Sequence, residues 1–127
     1  MDDIVLDASA VLAALNGETG GDAVEAVISR AVLSSVNLAE VVTKLVERGM
    51  TETQVSLVVG ALGCRIADFD AGLAYRTGAL RTGTQQHGLS LGDRACLALA
   101  QQQGLPVMTA DRIWSQLDVG ITIDVIR

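Results

Sequence analysis

Aromatic side chains are scarce in this chain of 127 residues, which contains only Phe69, Tyr75 and Trp114. Proteins that bind single-stranded nucleic acid passively stack bases on aromatic rings and present a basic surface. With three aromatics and a net charge of −6, the chain lacks both features. If it meets a nucleic acid, its acidic groups must first be neutralised locally, which a bound divalent cation would do.

Cysteines and long apolar runs are also few. Cys64 and Cys96 are the only two cysteines, and their apolar contexts predict free, buried thiols rather than a disulfide or a metal site. No apolar run approaches the roughly 18 residues of a membrane span, and Met1-Asp2-Asp3 lacks the basic start of a secretory signal. We therefore expect a cytoplasmic protein with no membrane association.

Hydrophobic residues make up half of the chain, which is enough for the core of one globular domain over residues 1–127. Short apolar runs alternate with segments of helical periodicity. Strands that alternate with helices indicate an α/β fold, with a parallel sheet covered on both faces. The predicted strands are Ile4–Leu6, Ala31–Ser35, Cys64–Ala67, Val107–Thr109 and, at an edge, Ile121–Ile126.

The helices between these strands are predicted from their periodicity and from capping patterns. Leu91–Gln103 is rich in Ala and Leu, Asn37–Arg48 has one apolar face, and residues 71 to about 82 are helical. Thr51-x-x-Gln54 and Asp22-x-x-Glu25 are capping-box patterns, so each predicts the start of a helix.

Four acidic residues are expected at one edge of this sheet. Asp7 and Asp111 come just after the first and fourth strands. Glu40 is predicted in the first turn of the helix after the second strand, and Asp93 in the first turn of the helix before the fourth. Both of those helices start at the carboxyl edge, which is where open parallel sheets bind ligands.

Each acid also has a purely structural explanation. Asp7 or Ser9 could cap the first helix, and Asp111 could cap a short helix that carries Trp114. Asn37-x-x-Glu40 and Ser90-x-x-Asp93 match capping boxes, and Glu40 could pair with Lys44 one turn later. Taken together, however, four carboxylates at one edge repel one another and raise one another's pKa. A hard cation with oxygen ligands, Mg²⁺ or Mn²⁺, would relieve that repulsion.

Four segments in this order carry a family likeness: "LDASA", "SSVNLAEVV", "LSLGDRACLALA" and "VMTADR". They resemble the PIN-domain ribonucleases, and most closely the VapC-like toxins of type II toxin–antitoxin systems. The resemblance runs from Ile4 to the end of the chain. It implies a three-layer α/β/α sandwich with a five-stranded parallel sheet in the order 3-2-1-4-5.

The resemblance also implies an activity and its partners. The family's acidic quartet maps onto Asp7, Glu40, Asp93 and Asp111, and its small polar residues map onto Ser9 and Thr109. The implied function is a Mg²⁺- or Mn²⁺-dependent endoribonuclease with an RNA substrate, a cognate antitoxin and a homodimeric state. Asp7 and Asp93 are the first choice as metal ligands, and Glu40 and Asp111 would complete the shell or orient water.

Two arginines adjoin candidate ligands. Arg94 follows Asp93 and Arg112 follows Asp111, so either could meet a substrate phosphate, although solvated surface positions explain them equally well.

Three other functions are open to an acidic α/β domain. A receiver-type signalling domain needs a lysine late in the chain, whereas the only lysine is Lys44. A phosphatase of the haloacid-dehalogenase type needs an acid two residues after its nucleophilic aspartate, where Ser9 stands. A catalytically inactive interaction module would not require the intact quartet.

Overall fold

Five short parallel strands form the middle layer of the protein, which we describe from a computed structural model covering residues 3–127. They are β1 (Ile4–Leu6), β2 (Ala31–Ser34), β3 (Arg65–Ala67), β4 (Val107–Thr109) and β5 (Ile123–Val125), in the order β3-β2-β1-β4-β5. Val5 of the central strand pairs with Val32 on one side and Val107 on the other. The parallel sheet and its strand order are as the sequence and the resemblance predict.

Seven α-helices cover this sheet within residues 3–127. They are α1 (Ala8–Asn16), α2 (Gly21–Glu25), α3 (Ser35–Glu47), α4 (Glu52–Leu62), α5 (Ala71–Ala79), α6 (Arg81–Thr84) and α7 (Leu91–Gln103). Short 3₁₀ turns occupy Ile28–Arg30, Gln85–His87 and Arg112–Gln116. None of the helices in the described part of the chain is both long and apolar enough to cross a membrane.

Successive residues of β1 point to opposite faces of the sheet, and this alternation divides the core in two. Ile4 and Leu6 pack with the buried residues of α1, α3 and α4. Val5 packs on the other side with α5, α7 and Trp114. All three β1 residues are buried, as expected for a central strand covered on both faces. The result is the predicted α/β/α sandwich.

Two of the four capping-box patterns in the sequence form in the structure. Thr51 and Ser90 both form capping boxes, with Gln54 and Asp93 respectively, and α7 has the predicted bounds. The box predicted at Asp22-x-x-Glu25 is wrong, because Gly20 precedes α2 and Asp22 lies within its first turn.

Two of the predicted helices differ in their bounds from the structure. α3 begins at Ser35, because the Ser34 hydroxyl at the end of β2 accepts from the Val36 amide at 3.2 Å. Glu40 therefore lies in the second turn of α3, and its predicted place in the first turn is wrong. The helix predicted over residues 71 to about 82 is divided at Leu80 into α5 and α6.

Candidate active site

Asp7 lies at the junction of β1 and α1. Its extended backbone ends the strand, and its Oδ1 accepts from the Ala10 amide at 2.9 Å, which caps the helix. Asp7 is nevertheless only 4% exposed. An N-cap that is usually in contact with water is here a buried carboxylate.

Two hydroxyls hold the Asp7 carboxylate in place. Ser9 Oγ donates to Oδ1 at 2.7 Å, and Thr109 Oγ1 donates to Oδ2 at 2.7 Å. The same hydroxyl oxygens accept backbone amides, Ser9 from Ala110 at 2.9 Å and Thr109 from Asp111 at 3.0 Å. This network joins the carboxyl ends of β1 and β4 and fixes both oxygens of the carboxylate.

The pKa of Asp7 is raised from 3.8 to about 6, chiefly because burial disfavours the charged form. The hydrogen bonds from Ser9, Thr109 and the Ala10 amide act in the opposite direction, and the negative charge of Asp93 adds to the rise. Asp7 is thus a desolvated acid whose pKa is raised further by another carboxylate of the predicted quartet.

Glu40 reaches the same region from α3. Asn37 Nδ2 donates to Glu40 Oε1 at 2.8 Å and also to the carbonyl of Gly92 in α7 at 3.0 Å. A Cβ added at Gly92 would overlap the Glu40 carboxylate, so the missing side chain is what gives this carboxylate its space. The Asn37 amide, 1% exposed, therefore ties α3, α7 and Glu40 together.

Asp93 and Asp111 combine capping with a place at the site. Asp93 Oδ2 accepts from the Ser90 amide at 3.0 Å, which completes the capping box of α7. Asp111 Oδ1 accepts from the Ile113 amide at 3.0 Å and caps the 3₁₀ turn that carries Trp114. The structural explanations offered by the sequence are correct for both, and they do not exclude a functional role.

All four carboxylates line one pocket of about 230 Å³ at the carboxyl edge of the sheet. Its walls are Asp7, Ala8, Ser9, Leu12, Glu40, Lys44, Asp93 and Asp111. The structure thus brings the predicted quartet together, with Ser9 beside it and Thr109 beneath Asp7. Their catalytic role stays a prediction.

Comparison with known families identifies the fold. The family model described as the PIN domain matches residues 4–120. The chain belongs to the PIN domain family. No curated protein matches this PIN domain in sequence.

Several solved structures share the architecture of this PIN domain. VapBC from Salmonella typhimurium, bound to DNA, is 22% identical at a TM-score of 0.76, with 100% of both chains covered. VapBC2 from Rickettsia felis, bound to a DNA fragment from its promoter, is 20% identical at 0.72, with 98% of each chain covered. VapC20 from Mycobacterium tuberculosis, a toxin that cleaves the sarcin–ricin loop, is 19% identical at 0.69, with 94% of this chain and 99% of that one covered.

The pocket of this PIN domain presents oxygen ligands of the type that a hard cation binds. Carboxylate and hydroxyl oxygens are the ligands that Mg²⁺ and Mn²⁺ prefer. Within residues 3–127, no three Asp, Glu, His or Cys side chains converge closely enough to hold a metal ion as they stand. Mg²⁺ keeps several of its waters and commonly uses only one or two carboxylates, so the pocket remains compatible with it.

The two arginines predicted beside the site do not line the pocket. Arg94 Nη1 donates to the Thr77 carbonyl of α5 at 3.2 Å, and Arg112 Nε donates to the carbonyl of Arg127 at 3.1 Å. In this arrangement both support the protein backbone, and contact with a phosphate would require these side chains to turn.

Two residues near the site carry roles that the sequence analysis did not assign. Asn37 and Gly92 together position Glu40, whereas the sequence showed Asn37 only as a possible cap. Cys96 is fully buried, and its pKa is raised by burial and then by the charges of Asp7, Asp93 and Glu40. Both cysteines are free, as predicted, although Cys64 is only half-buried.

Proposed function

We propose that this PIN domain is a metal-dependent endoribonuclease that hydrolyses RNA in the cytoplasm as the toxin of a toxin–antitoxin pair. One observation carries the proposal: four carboxylates from separate elements line a single pocket at the carboxyl edge of a PIN fold. Similarity to structures of VapBC complexes, and to a toxin that cleaves the sarcin–ricin loop, supports it.

Each acidic residue of the pocket has a separate role in the phosphodiester hydrolysis that we propose. A bound Mg²⁺ or Mn²⁺ would lower the pKa of a water molecule and offset charge on the phosphate. Asp7 and Asp93 would hold the ion. The Asp7 carboxylate is fixed by two hydroxyls, and the negative charge of Asp93 raises its pKa. Glu40, positioned by Asn37, and Asp111 would complete the shell or orient the attacking water.

Family membership bears on the alternative functions. Receiver domains and haloacid-dehalogenase phosphatases belong to other families, so neither describes a PIN domain. An inactive interaction module remains the alternative. It differs from a nuclease by a single property, the metal-dependent cleavage of RNA.

The test is incubation of the purified protein with total cellular RNA and Mg²⁺ or Mn²⁺, with and without EDTA. We expect cleavage that EDTA abolishes and that Asp93→Asn reduces by at least about 100-fold, a loss of about 3 kcal/mol in transition-state stabilisation. Asparagine keeps an oxygen that can accept from the Ser90 amide, so the helix cap is retained while the charge is lost. Circular dichroism would verify the fold.

Asp22→Asn is the matched control, because Asp22 is also in the first turn of a helix but is exposed and outside the pocket. It should cleave RNA as the wild type does. Equal cleavage by a folded Asp93→Asn protein would refute the assigned site, and no metal-dependent cleavage by the wild type would favour the inactive module.

A protein that destroys cellular RNA must be held inactive, and a second surface suits the antitoxin that we propose. An apolar groove of about 720 Å³ runs between α3 and α4, lined mainly by Leu38, Val42, Val46, Met50, Val55 and Val59. The opposite face of α3 carries Glu40 and Lys44 into the catalytic pocket. An amphipathic antitoxin segment could fill the groove and extend a basic side chain to the carboxylates.

We also propose the homodimer that the family resemblance implies. Size-exclusion chromatography with light scattering would measure it directly, and a monomer at micromolar concentration would contradict it.

A further inference from the structure

Lys44 is the one cationic side chain among the residues that line the acidic pocket, and it is the only lysine in the chain. It lies one helical turn after Glu40 on α3. Glu40 and Lys44 both line the pocket, so this face of α3 forms one of its walls. A flexible ammonium is therefore placed at the wall of a pocket formed by four carboxylates.

The ammonium is held loosely in this position. Its ion pair is with Glu47, Nζ to Oε2 at 3.8 Å, and both side chains are more than half exposed. Exposed pairs of this kind contribute little to stability, so the ammonium can leave at small cost. The expected pair with Glu40 does not form, because the Glu40 carboxylate is held by Asn37 and lies against Gly92.

The negative charge of the pocket would repel an approaching RNA phosphate. The chain has a net charge of −6, and four carboxylates surround the point of attack. One divalent cation would offset only half of the charge of the quartet. Arg94 and Arg112 donate to backbone carbonyls and lie outside the pocket wall, whereas Lys44 is part of that wall.

We infer that Lys44 is a substrate-binding residue, whose ammonium leaves Glu47 and donates to an RNA phosphate at the pocket mouth. This inference rests on the proposed ribonuclease function and extends it to a substrate contact. An ammonium cannot ligate a metal, so its contribution is to RNA binding.

The test compares the wild type with Lys44→Gln and Lys44→Arg. The substrate is an oligoribonucleotide that spans a site at which the wild type cuts total RNA. We expect Lys44→Gln to raise KM about 5- to 20-fold with kcat within about threefold, because a contact made in both ground and transition states affects binding alone. Lys44→Arg should restore most of the affinity, because the charge is retained.

Salt dependence gives an independent readout. Loss of one phosphate contact should lower the slope of log(kcat/KM) against log salt concentration by about 0.7 for Lys44→Gln, as expected for single-stranded RNA. Arg65→Gln is the matched control, because it changes net charge equally on edge strand β3, where Arg65 pairs with Asp3 at 3.3 Å. Its KM and salt slope should equal those of the wild type.

The outcomes separate this inference from the proposed function. If the wild type cuts no RNA, the ribonuclease function fails and the substrate contact fails with it. If the wild type cuts RNA and Lys44→Gln matches Arg65→Gln in KM and salt slope, the function stands and the role of Lys44 is overturned. A loss confined to kcat would also overturn it, because that result assigns Lys44 to the chemical step.

Discussion

At the scale of single residues, Asp7 combines two demands that usually conflict. As an N-cap it satisfies an amide at the start of α1, and as a site residue it carries a charge into a buried position. Burial of an unpaired charge is costly, but three donors from Ala10, Ser9 and Thr109 offset part of that cost. The helix cap and the candidate catalytic carboxylate are thus one group.

Gly92 offers a prediction at this scale. Glycine within a helix is less favourable than alanine by about 1 kcal/mol, so Gly92→Ala should leave stability unchanged or raise it slightly. Its Cβ would overlap the Glu40 carboxylate, the movable end of a flexible side chain, so the carboxylate should be displaced at little cost to folding. We expect the rate of RNA cleavage to fall at least 10-fold. Urea unfolding of the same variant would measure its free energy of unfolding.

Gly78→Ala is the control, because Gly78 is also helical and a Cβ there would meet nothing within 4 Å. It should gain stability and keep its activity. If Gly92→Ala cleaved RNA as fast as Gly78→Ala, Glu40 would not need its present position.

The sequence predicted where the acidic residues lie but not the contacts that hold their side chains in place. Asp7 and Asp111 were predictable because each follows a recognisable buried strand, and Asp93 because its capping box is local. The contact of Asn37 with Gly92 joins residues 55 apart, so no local pattern reveals it. Glu40 is also far from Gly92 in sequence, so no local pattern reveals the reason for glycine at position 92.

At the scale of elements, local chemistry predicted α4 and α7 well and α3 less well. The starts of α4 and α7 depend on capping boxes within four residues, which the sequence displays directly. α3 is capped by Ser34, which is also the last residue of β2. A residue that serves both elements leaves no gap between them, so the periodicity alone placed the start of the helix too late.

The groove between α3 and α4 supplies the prediction at the element scale. Val46 lines the groove and is 48% exposed, so Val46→Glu should place a charge on the docking surface without disturbing the core. We expect at least a 10-fold loss of affinity for the antitoxin and unchanged RNA cleavage. Calorimetry with the cognate antitoxin would measure the affinity.

Leu57→Glu is the matched control for the groove. Leu57 lies on α4, is 70% exposed and is not among the residues that line the groove. It should bind the partner normally. Equal binding by Val46→Glu and Leu57→Glu would exclude the groove as the docking site.

At the scale of the whole molecule, the alternation of strands and helices was enough to predict a parallel sheet covered on both faces. The strand order came from the family resemblance, because pairing such as that of β1 with β4 joins residues about a hundred apart. The edge strand β5 covers Ile123–Val125 and is shorter than the predicted Ile121–Ile126. Strand order and strand length therefore depend on pairing between residues distant in sequence, which local preferences do not reveal.

The stability of the whole metal-free protein should fall as pH rises through the titration of Asp7. The folded-state pKa of Asp7 is about 6 and its ordinary value is 3.8. Between these two values the folded protein retains a proton that the unfolded chain has released, so raising the pH favours unfolding. Well below the ordinary value both states are protonated, and well above the folded-state value both are ionised. The loss across this window should approach about 3 kcal/mol.

Urea unfolding in EDTA, at intervals from about pH 4 to pH 7, would measure this loss against Asp7→Asn. Asparagine keeps an acceptor for the Ala10 amide and has no charge to desolvate, so the variant should become the more stable protein at neutral pH. Asp22→Asn, altered on the exposed first turn of α2, should follow the wild-type curve. A difference between wild type and Asp7→Asn that stayed constant with pH would show that burial of Asp7 is relieved in solution, for example by water entering the pocket.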